Sequence, residues 1–145
     1  MSNLLARFSA RLPTMMRNLG LEFVSIDTER VVARLAVTPE LGNANGVLHG
    51  GAIMAFADHI GATGAVVNLP EGANTATIES KTSFFGPGKI GDVVTAEAIP
   101  LHRGKRTMVW QTTIKGSDGR VLAMVTQTQI VMRRGGGGSG DGWMP

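Results

Sequence analysis

The feature that most constrains the fold of this chain is the apolar stretch VLHGGAIMAFADHIGATGAVVNL at positions 47–69. Its length approaches that of a membrane-spanning helix, but Asp58 and His59 lie at its middle, where ionisable groups are expensive in lipid. We therefore predict a helix from about Gly51 to Val67 that is buried in the core of a soluble protein. The rest of the chain has to provide the surface that covers this helix.

The segments on either side of the helix have the patterns of β-strands. Between positions 29 and 37, apolar and polar residues alternate, which predicts a half-buried strand. The later segments are rich in Val, Ile, Thr and Ala and are separated by short turns with Gly, Pro or Asp, which favours an antiparallel meander. The six predicted strands cover positions 21–27, 29–37, 75–85, 92–101, 105–115 and 120–132.

Length and composition favour a single core of the α+β class. The chain has 145 residues, of which 43% are hydrophobic, enough for one core but not for two. Only the central helix is apolar enough to cover the sheet, so we expect a curved antiparallel sheet wrapped around that helix. We divide the chain into an N-terminal helical segment at 1–20, interrupted at Pro13, a main domain at 21–132 and a flexible Gly-rich tail at 133–145.

Charge and cysteine content exclude several classes of protein. The chain has no cysteine, which excludes disulfide scaffolds, cysteine nucleophiles and Cys-ligated metal sites. Its net charge is only +3 and it contains no long basic run, so we expect neither nucleic acid nor membrane as a partner. We expect a cytoplasmic location, while the Arg-rich, acid-free first 20 residues leave a mitochondrial presequence open as an alternative.

The segment NANGVLHGG at positions 43–51 is the first candidate for a functional site. Gly50 and Gly51 stand where the helix begins, so their N–H groups are among the four that a helix leaves unpaired. Aided by the helix dipole, such amides can hold the oxyanion that forms when a thioester or ester carbonyl is attacked. The alternative is that the two glycines only permit a tight turn and close packing of the helix on the sheet.

Asp58 is the second candidate. A carboxylate in so apolar a segment costs several kcal/mol unless it is satisfied, and we interpret it as a general base or nucleophile, or else as a buried structural acid. It lies eight residues after Gly50, or about 12 Å further along the helix, so one chain cannot bring both groups to one reacting carbon. Two antiparallel copies of the helix, related by a dimer axis, would instead create two equivalent shared sites.

Further polar side chains could complete such a site. His49 could bond a leaving thiolate or the substrate carbonyl, Asn43 could hold a water molecule or fix the loop, and Thr77 could orient an attacking water. Each of the three also has an ordinary structural role at its position. A basic turn, formed by Arg103, Lys105 and Arg106, suits phosphate groups but is equally typical of a solvated hairpin tip.

Other catalytic schemes find no support in the sequence. There is no G-x-S-x-G elbow and no P-loop, and no G-x-G-x-x-G match stands between a predicted strand and a predicted helix, where it would bind a nucleotide in the Rossmann manner. Asp58 and His59 are consecutive on the predicted helix and point about 100° apart, which makes them poor ligands for one metal ion. We therefore expect neither a metal ion nor another cofactor.

The combined pattern resembles a known family. The motif N-x-x-G-x-x-H-G-G at 43–51, the acid that follows at position 58 and the strand TIESKTSFFGPGKIGD at 77–92 are similar to the hotdog-fold acyl-CoA thioesterases of the PaaI-like, phenylacetate-pathway type. The resemblance covers about residues 15–132. It implies a hydrolase of acyl-CoA or aryl-CoA thioesters, whose subunits share active sites in a dimer with a continuous sheet and commonly form a homotetramer of two dimers.

The resemblance also implies roles for the candidate residues. Asp58 looks like the general base or nucleophile, and Gly50 looks like the donor whose N–H polarises the thioester carbonyl. Asn43 and His49 would lie around the leaving sulfur and the water, and Thr77 would orient the water from the partner side. Some relatives carry a hydroxyl residue four positions after the acid, where this chain has alanine.

Two other activities remain open on the same fold. One is a hydratase or dehydratase acting on an acyl thioester, for which the usual catalytic His and acid motifs are missing from the sequence. The other is a non-catalytic module that senses acyl-CoA, although a sensor has no need of Asp58 in an apolar helix. If the ligand is a CoA ester, the basic turn at Arg103, Lys105 and Arg106 is the candidate site for its phosphates.

Overall fold

The computed structural model describes residues 3–133, which form three α-helices, one 3-10 turn and six strands. The helices are α1 (Asn3–Ala10), α2 (Thr14–Leu19) and α3 (Gly50–Val67), and the strands are β1 (Leu21–Ile26), β2 (Val31–Ala36), β3 (Ala73–Phe84), β4 (Val93–Arg103), β5 (Thr107–Lys115) and β6 (Val121–Arg133). The predicted central helix and all six predicted strands are confirmed, with ends that differ by a few residues. The predicted tail, apart from Arg133 at the end of β6, lies outside the described residues.

The six strands make one antiparallel sheet in the order β1-β2-β4-β5-β6-β3. Helix α3 packs against every strand from β2 to β6. Five adjacent strands span about 20 Å, whereas a helix is about 10 Å across, so the sheet has to curve for all five to reach it. This is the predicted arrangement of a curved sheet around one long helix.

The inner faces of the strands follow the period of two that strands require. On β5 the buried positions alternate and include Met108, Trp110 and Ile114, and their neighbours are only half-buried. The helix lies close to this face because glycines stand where it meets the sheet. A Cβ atom on Gly64 would lie 2.5 Å from the Trp110 ring, and one on Gly61 would lie 2.4 Å from Oε1 of Gln127.

The N-terminal segment forms two short helices and not one continuous helix. This confirms the interruption that the sequence predicted at Pro13. Pro13 separates α1 from α2, and Gly20 ends α2 in the left-handed conformation with a φ of 82°. Leu12 and Met16 are buried in the core, so this segment is packed on the domain.

The outermost strands of the sheet are β1 and β3. Strand β3 is the longer of the two, with 12 residues, and it pairs only with β6. A bulge interrupts that pairing between Thr77 and Glu79, next to Ile78, whose surface is 59% exposed. One side of a long strand therefore has no partner strand within residues 3–133.

Candidate active site

The first part of the candidate site is the start of α3, where His49 caps the helix. Its backbone is extended and its Nδ1 accepts a hydrogen bond of 2.8 Å from the N–H of Gly51. Because Nδ1 is the acceptor, the neutral imidazole carries its proton on Nε2, which leaves one donor for a ligand. The N–H of Gly50, by contrast, meets no hydrogen-bond acceptor among residues 3–133.

Close packing explains why position 50 is a glycine. A Cβ atom there would lie 3.2 Å from the ring of Phe84, which sits at the end of β3 and is half exposed. Both interpretations of the Gly50-Gly51 pair therefore have structural support. Gly50 permits a close approach of the sheet, and its N–H remains available to hold an oxyanion.

Asn43 organises the loop that leads into α3. Its Oδ1 accepts hydrogen bonds from the N–H groups of Asn45 and Val47, at 2.9 Å and 3.3 Å, and its own N–H donates to the Val47 carbonyl. Gly46 turns the loop with a φ of 72°. The Asn43 side chain thus fixes the loop, and only its amide N–H groups remain for a water molecule or substrate.

The second part of the candidate site lies in the middle of α3. Asp58 is half-buried, and its Oδ1 accepts a hydrogen bond of 2.8 Å from the hydroxyl of Thr77 on β3. The two residues that the sequence singled out as base and hydroxyl thus lie together within one chain. Oδ2 of Asp58 accepts no hydrogen bond within the described part of the chain.

Two glutamines on β6 surround this pair, and sequence analysis missed them. Nε2 of Gln127 lies 3.1 Å from the backbone carbonyl oxygen of Asp58 and 3.3 Å from its Oδ1, and Nε2 of Gln129 lies 2.6 Å from the Thr77 hydroxyl. Both glutamines are fully buried. A signal was present, because they occupy core-facing positions of an alternating strand, where apolar residues are the rule.

Two cavities lie along α3, one at its start and one along its second half. One of about 290 Å³ lies at the helix start and is lined by His49, Gly51 and Met15 among others. One of about 280 Å³ lies beyond Asp58 and is lined by His59, Ala62 and Phe8 among others. Burial lowers the pKa of His59, an effect that the negative charge of Asp58 partly opposes. Both cavities are large enough to hold part of a small substrate.

In the basic turn, Arg103 forms an ion pair, whereas Lys105 and Arg106 form none within residues 3–133. Arg103 makes a bidentate ion pair with Glu29, at 2.6 Å and 3.1 Å, and also bonds the carbonyl of Thr28. Lys105 and Arg106 have no side-chain partner within residues 3–133. Of the three residues predicted to meet CoA phosphates, these two have free charges.

The arrangement contains the groups that thioester hydrolysis needs, but in two separate places. Gly50 and Asp58 are residues 1 and 9 of the 18-residue helix α3, so their backbones are about 12 Å apart along its axis. A carbonyl carbon has to lie within about 3.5 Å of its attacker. Within the described residues, no group of three or more His, Asp and Glu side chains could hold a metal ion.

Comparison with known proteins identifies the family. The sequence model of the Thioesterase superfamily matches residues 45–123. The Escherichia coli K12 acyl-coenzyme A thioesterase PaaI is 31% identical over 107 residues, which cover 73% of this chain and 74% of that protein. The 1,4-dihydroxy-2-naphthoyl-CoA hydrolase of Listeria monocytogenes is 28% identical over 120 residues, which cover 83% of this chain and 97% of that protein.

Solved structures share the fold over most of the chain. The structure of E. coli PaaI superposes with a TM-score of 0.80 at 26% identity and covers 91% of this chain and 92% of that chain. A Streptococcus mutans protein solved with bound acetyl-CoA superposes with a TM-score of 0.72 at 25% identity, covering 79% and 91%. The family match includes the helix start, Asp58 and Thr77. The chain therefore belongs to the Thioesterase superfamily and is a hotdog-fold thioester hydrolase.

Proposed function

We propose that this chain hydrolyses acyl-CoA or aryl-CoA thioesters at two equivalent sites, each of which is shared between two subunits. The observation that carries the proposal is the separation of about 12 Å, along the axis of one helix, between the backbones of Gly50, whose N–H has no acceptor within residues 3–133, and Asp58. Similarity to PaaI and to the naphthoyl-CoA hydrolase supports a CoA thioester as the substrate.

The unpartnered edge of β3 is the proposed dimer interface. A second copy that pairs antiparallel with this strand would extend the sheet and place the two α3 helices side by side, running in opposite directions. Gly50 of one subunit would then face the partner subunit's Asp58. The family resemblance favours a further association of two such dimers into a tetramer.

The chemistry follows from the free atoms at each part of the site. Oδ2 of Asp58 takes a proton from a water molecule as the water oxygen attacks the thioester carbonyl carbon, or else Oδ2 attacks that carbon itself. The N–H of Gly50 on the other subunit holds the oxyanion that forms. When the C–S bond breaks, Nε2–H of His49 can donate to the leaving CoA thiolate. The products are the free acid and CoA, and in the second route water then hydrolyses the acyl-enzyme.

Lys105 and Arg106 are the proposed contacts for the CoA phosphates, because their charges have no partner within the described chain. Arg103 is less suited to that role, since Glu29 neutralises its guanidinium.

Release of free CoA thiol tests the proposal. We expect hydrolysis of at least one member of a panel of short, long and aromatic CoA esters. We expect Asp58→Asn to lower kcat about 10²-fold or more, because it removes the proton acceptor or nucleophile but preserves the side-chain shape. Asp58→Asn with the wild-type rate on the best substrate would contradict the assignment of Asp58.

The non-catalytic alternative has a distinct outcome in the same assay. A sensor would bind CoA esters tightly, as measured by calorimetry, but would release no thiol from any of them. A hydratase or dehydratase would change the absorbance of an unsaturated acyl-CoA without releasing thiol.

A further inference from the structure

The Asp58–Thr77 pair is part of a longer chain of hydrogen bonds that ends in the core. Gln129 lies next to Thr77, and the amide oxygen of Gln129 lies 3.1 Å from the hydroxyl of Thr75. Gln127 approaches Asp58 from the same strand. The half-buried carboxylate of Asp58 thus contacts one fully buried amide directly and a second one through Thr77.

Chemistry fixes the direction of these hydrogen bonds. An ionised carboxylate has no hydrogen to donate, so across the 2.8 Å contact the Thr77 hydroxyl has to be the donor and Asp58 the acceptor. The hydroxyl has a single hydrogen, so Thr77 can only accept in its 2.6 Å contact with Gln129. Gln129 therefore presents its NH₂ group to Thr77, and the Thr77 hydroxyl has no hydrogen left to donate to a water molecule.

We propose that Gln127 and Gln129 are positioning residues that hold Oδ1 of Asp58, Gln127 directly and Gln129 through Thr77, and so leave Oδ2 as the oxygen that reacts. The inference rests on the proposed role of Asp58. It also changes the role of Thr77, which orients the carboxylate and can only accept a hydrogen bond from the attacking water.

The space that Gln127 occupies supports this role. Helix α3 has a glycine at position 61, where any Cβ atom would lie 2.4 Å from Oε1 of Gln127. The helix thus leaves room for the amide beside Asp58. Oε1 of Gln127 has no hydrogen-bond partner within the described residues, which is costly for a fully buried amide. A buried apolar side chain at 127 would avoid that cost, so stability alone does not explain the glutamine.

Substitution by methionine tests the proposal, because methionine resembles glutamine in length but cannot donate a hydrogen bond. We expect Gln127→Met and Gln129→Met each to lower kcat for thioester hydrolysis by about 10-fold, with KM changed less than about twofold. Gln111→Met is the matched control, because Gln111 lies on β5 and its side chain bonds only Thr126 within residues 3–133. We expect this control to retain its kcat.

A steric pair tests Gln127 without removing any polar group. Gly61→Ala pushes a methyl group against Gln127, whereas Gly64→Ala, one turn along the same helix, pushes one against Trp110. Both changes overpack the core and should lower the melting temperature. Only Gly61→Ala should lower kcat. Equal kcat values for the two alanine variants, at wild-type level, would overturn the role of Gln127.

A double-mutant cycle tests the path from Gln129 to Asp58. If Gln129 acts through Thr77, adding Gln129→Met to Thr77→Val should lower kcat no further than Thr77→Val alone. Gln127 reaches Asp58 directly, so Gln127→Met should still lower kcat in the Thr77→Val background. If the kcat losses of Gln129→Met and Thr77→Val instead multiply in the double variant, the path through Thr77 is overturned.

The outcomes separate this inference from the proposed function. If Asp58→Asn is inactive while both methionine variants keep the wild-type kcat, the positioning role is wrong and the proposed function stands. If Asp58→Asn keeps the wild-type kcat, the proposed role of Asp58 is wrong, and the positioning role fails with it. If a methionine variant does not fold, Gln127→Asn or Gln129→Asn, which retains the amide but shortens its reach, takes its place with the same expected loss of kcat.

Discussion

At the residue scale, a single hydrogen bond distinguishes the two adjacent glycines at the start of α3. The N–H of Gly51 is capped by His49, whereas the N–H of Gly50 has no acceptor within the described residues. Their place at the helix start does not rank the two, and only the family resemblance favours Gly50 as the donor. The structure assigns the free donor to Gly50 and the cap to His49, and it leaves Nε2 of His49 as the donor for a ligand.

Proline at position 50 isolates the contribution of this N–H. Gly50 is the first residue of α3, where proline fits a helix, and the extended backbone of His49 suits a residue before proline. We expect Gly50→Pro to lower kcat by about 10²-fold, the loss typical of removing one oxyanion donor. Gly50→Ala is the matched control, because it adds a Cβ atom beside Phe84 but keeps the N–H. Equal activity of the two variants would contradict the role of the amide.

At the scale of elements, α3 carries an ionisable pair whose members face different surroundings. Asp58 is hydrogen-bonded to β3 and β6, whereas the His59 ring lies 5.9 Å from the ring of Phe23 and lines a cavity. Burial lowers the pKa of His59 from its ordinary value of 6.5, and Asp58 opposes this only in part. Folding therefore favours the neutral imidazole.

This burial predicts a pH dependence of stability. The unfolded chain protonates His59 near pH 6.5, whereas the folded chain does so only at lower pH, so the free energy of unfolding falls as the pH drops through and below about 6.5. We expect the melting temperature to fall less between about pH 7.5 and 5.5 in His59→Gln than in the wild type. An identical fall in both proteins would show that His59 is not responsible.

The elements were easier to predict from the sequence than the contacts between them. Alternation and turn residues gave the strands, and the long apolar run gave α3, because both patterns are local. The ion pair between Arg103 and Glu29 joins positions 74 apart, and nothing near either residue indicates it. The role of Gln127 depends on the space that Gly61 leaves for it across the helix–sheet interface. The two positions are far apart in the chain, so a single sequence does not show that they meet.

At the scale of the whole molecule, the edge of the sheet at β3 and the spacing of Gly50 and Asp58 along α3 both support a site that is shared between two subunits. The long edge strand β3 carries Thr77 and ends at Phe84, which packs on Gly50. A second copy paired along β3 would therefore bring both parts of the site to the interface between subunits. A monomer contains each chemical group once but keeps the oxyanion donor and the carboxylate about 12 Å apart.

Hybrid dimers test this central claim most directly. Chains with Asp58→Asn and chains with Gly50→Pro, carrying different affinity tags, are co-expressed, and the heterodimer is isolated by two successive affinity steps. Each parent homodimer must first be shown to fold and to dimerise. In the heterodimer, one of the two sites combines an intact Gly50 with an intact Asp58, and the other site has lost both.

We expect each parent to be nearly inactive and the heterodimer to recover about half of the wild-type kcat per dimer, since one of its two sites is restored. A site built within one chain cannot gain from mixing, because every chain in the hybrid carries one lesion. A verified heterodimer that stays as inactive as its parents would contradict the shared site.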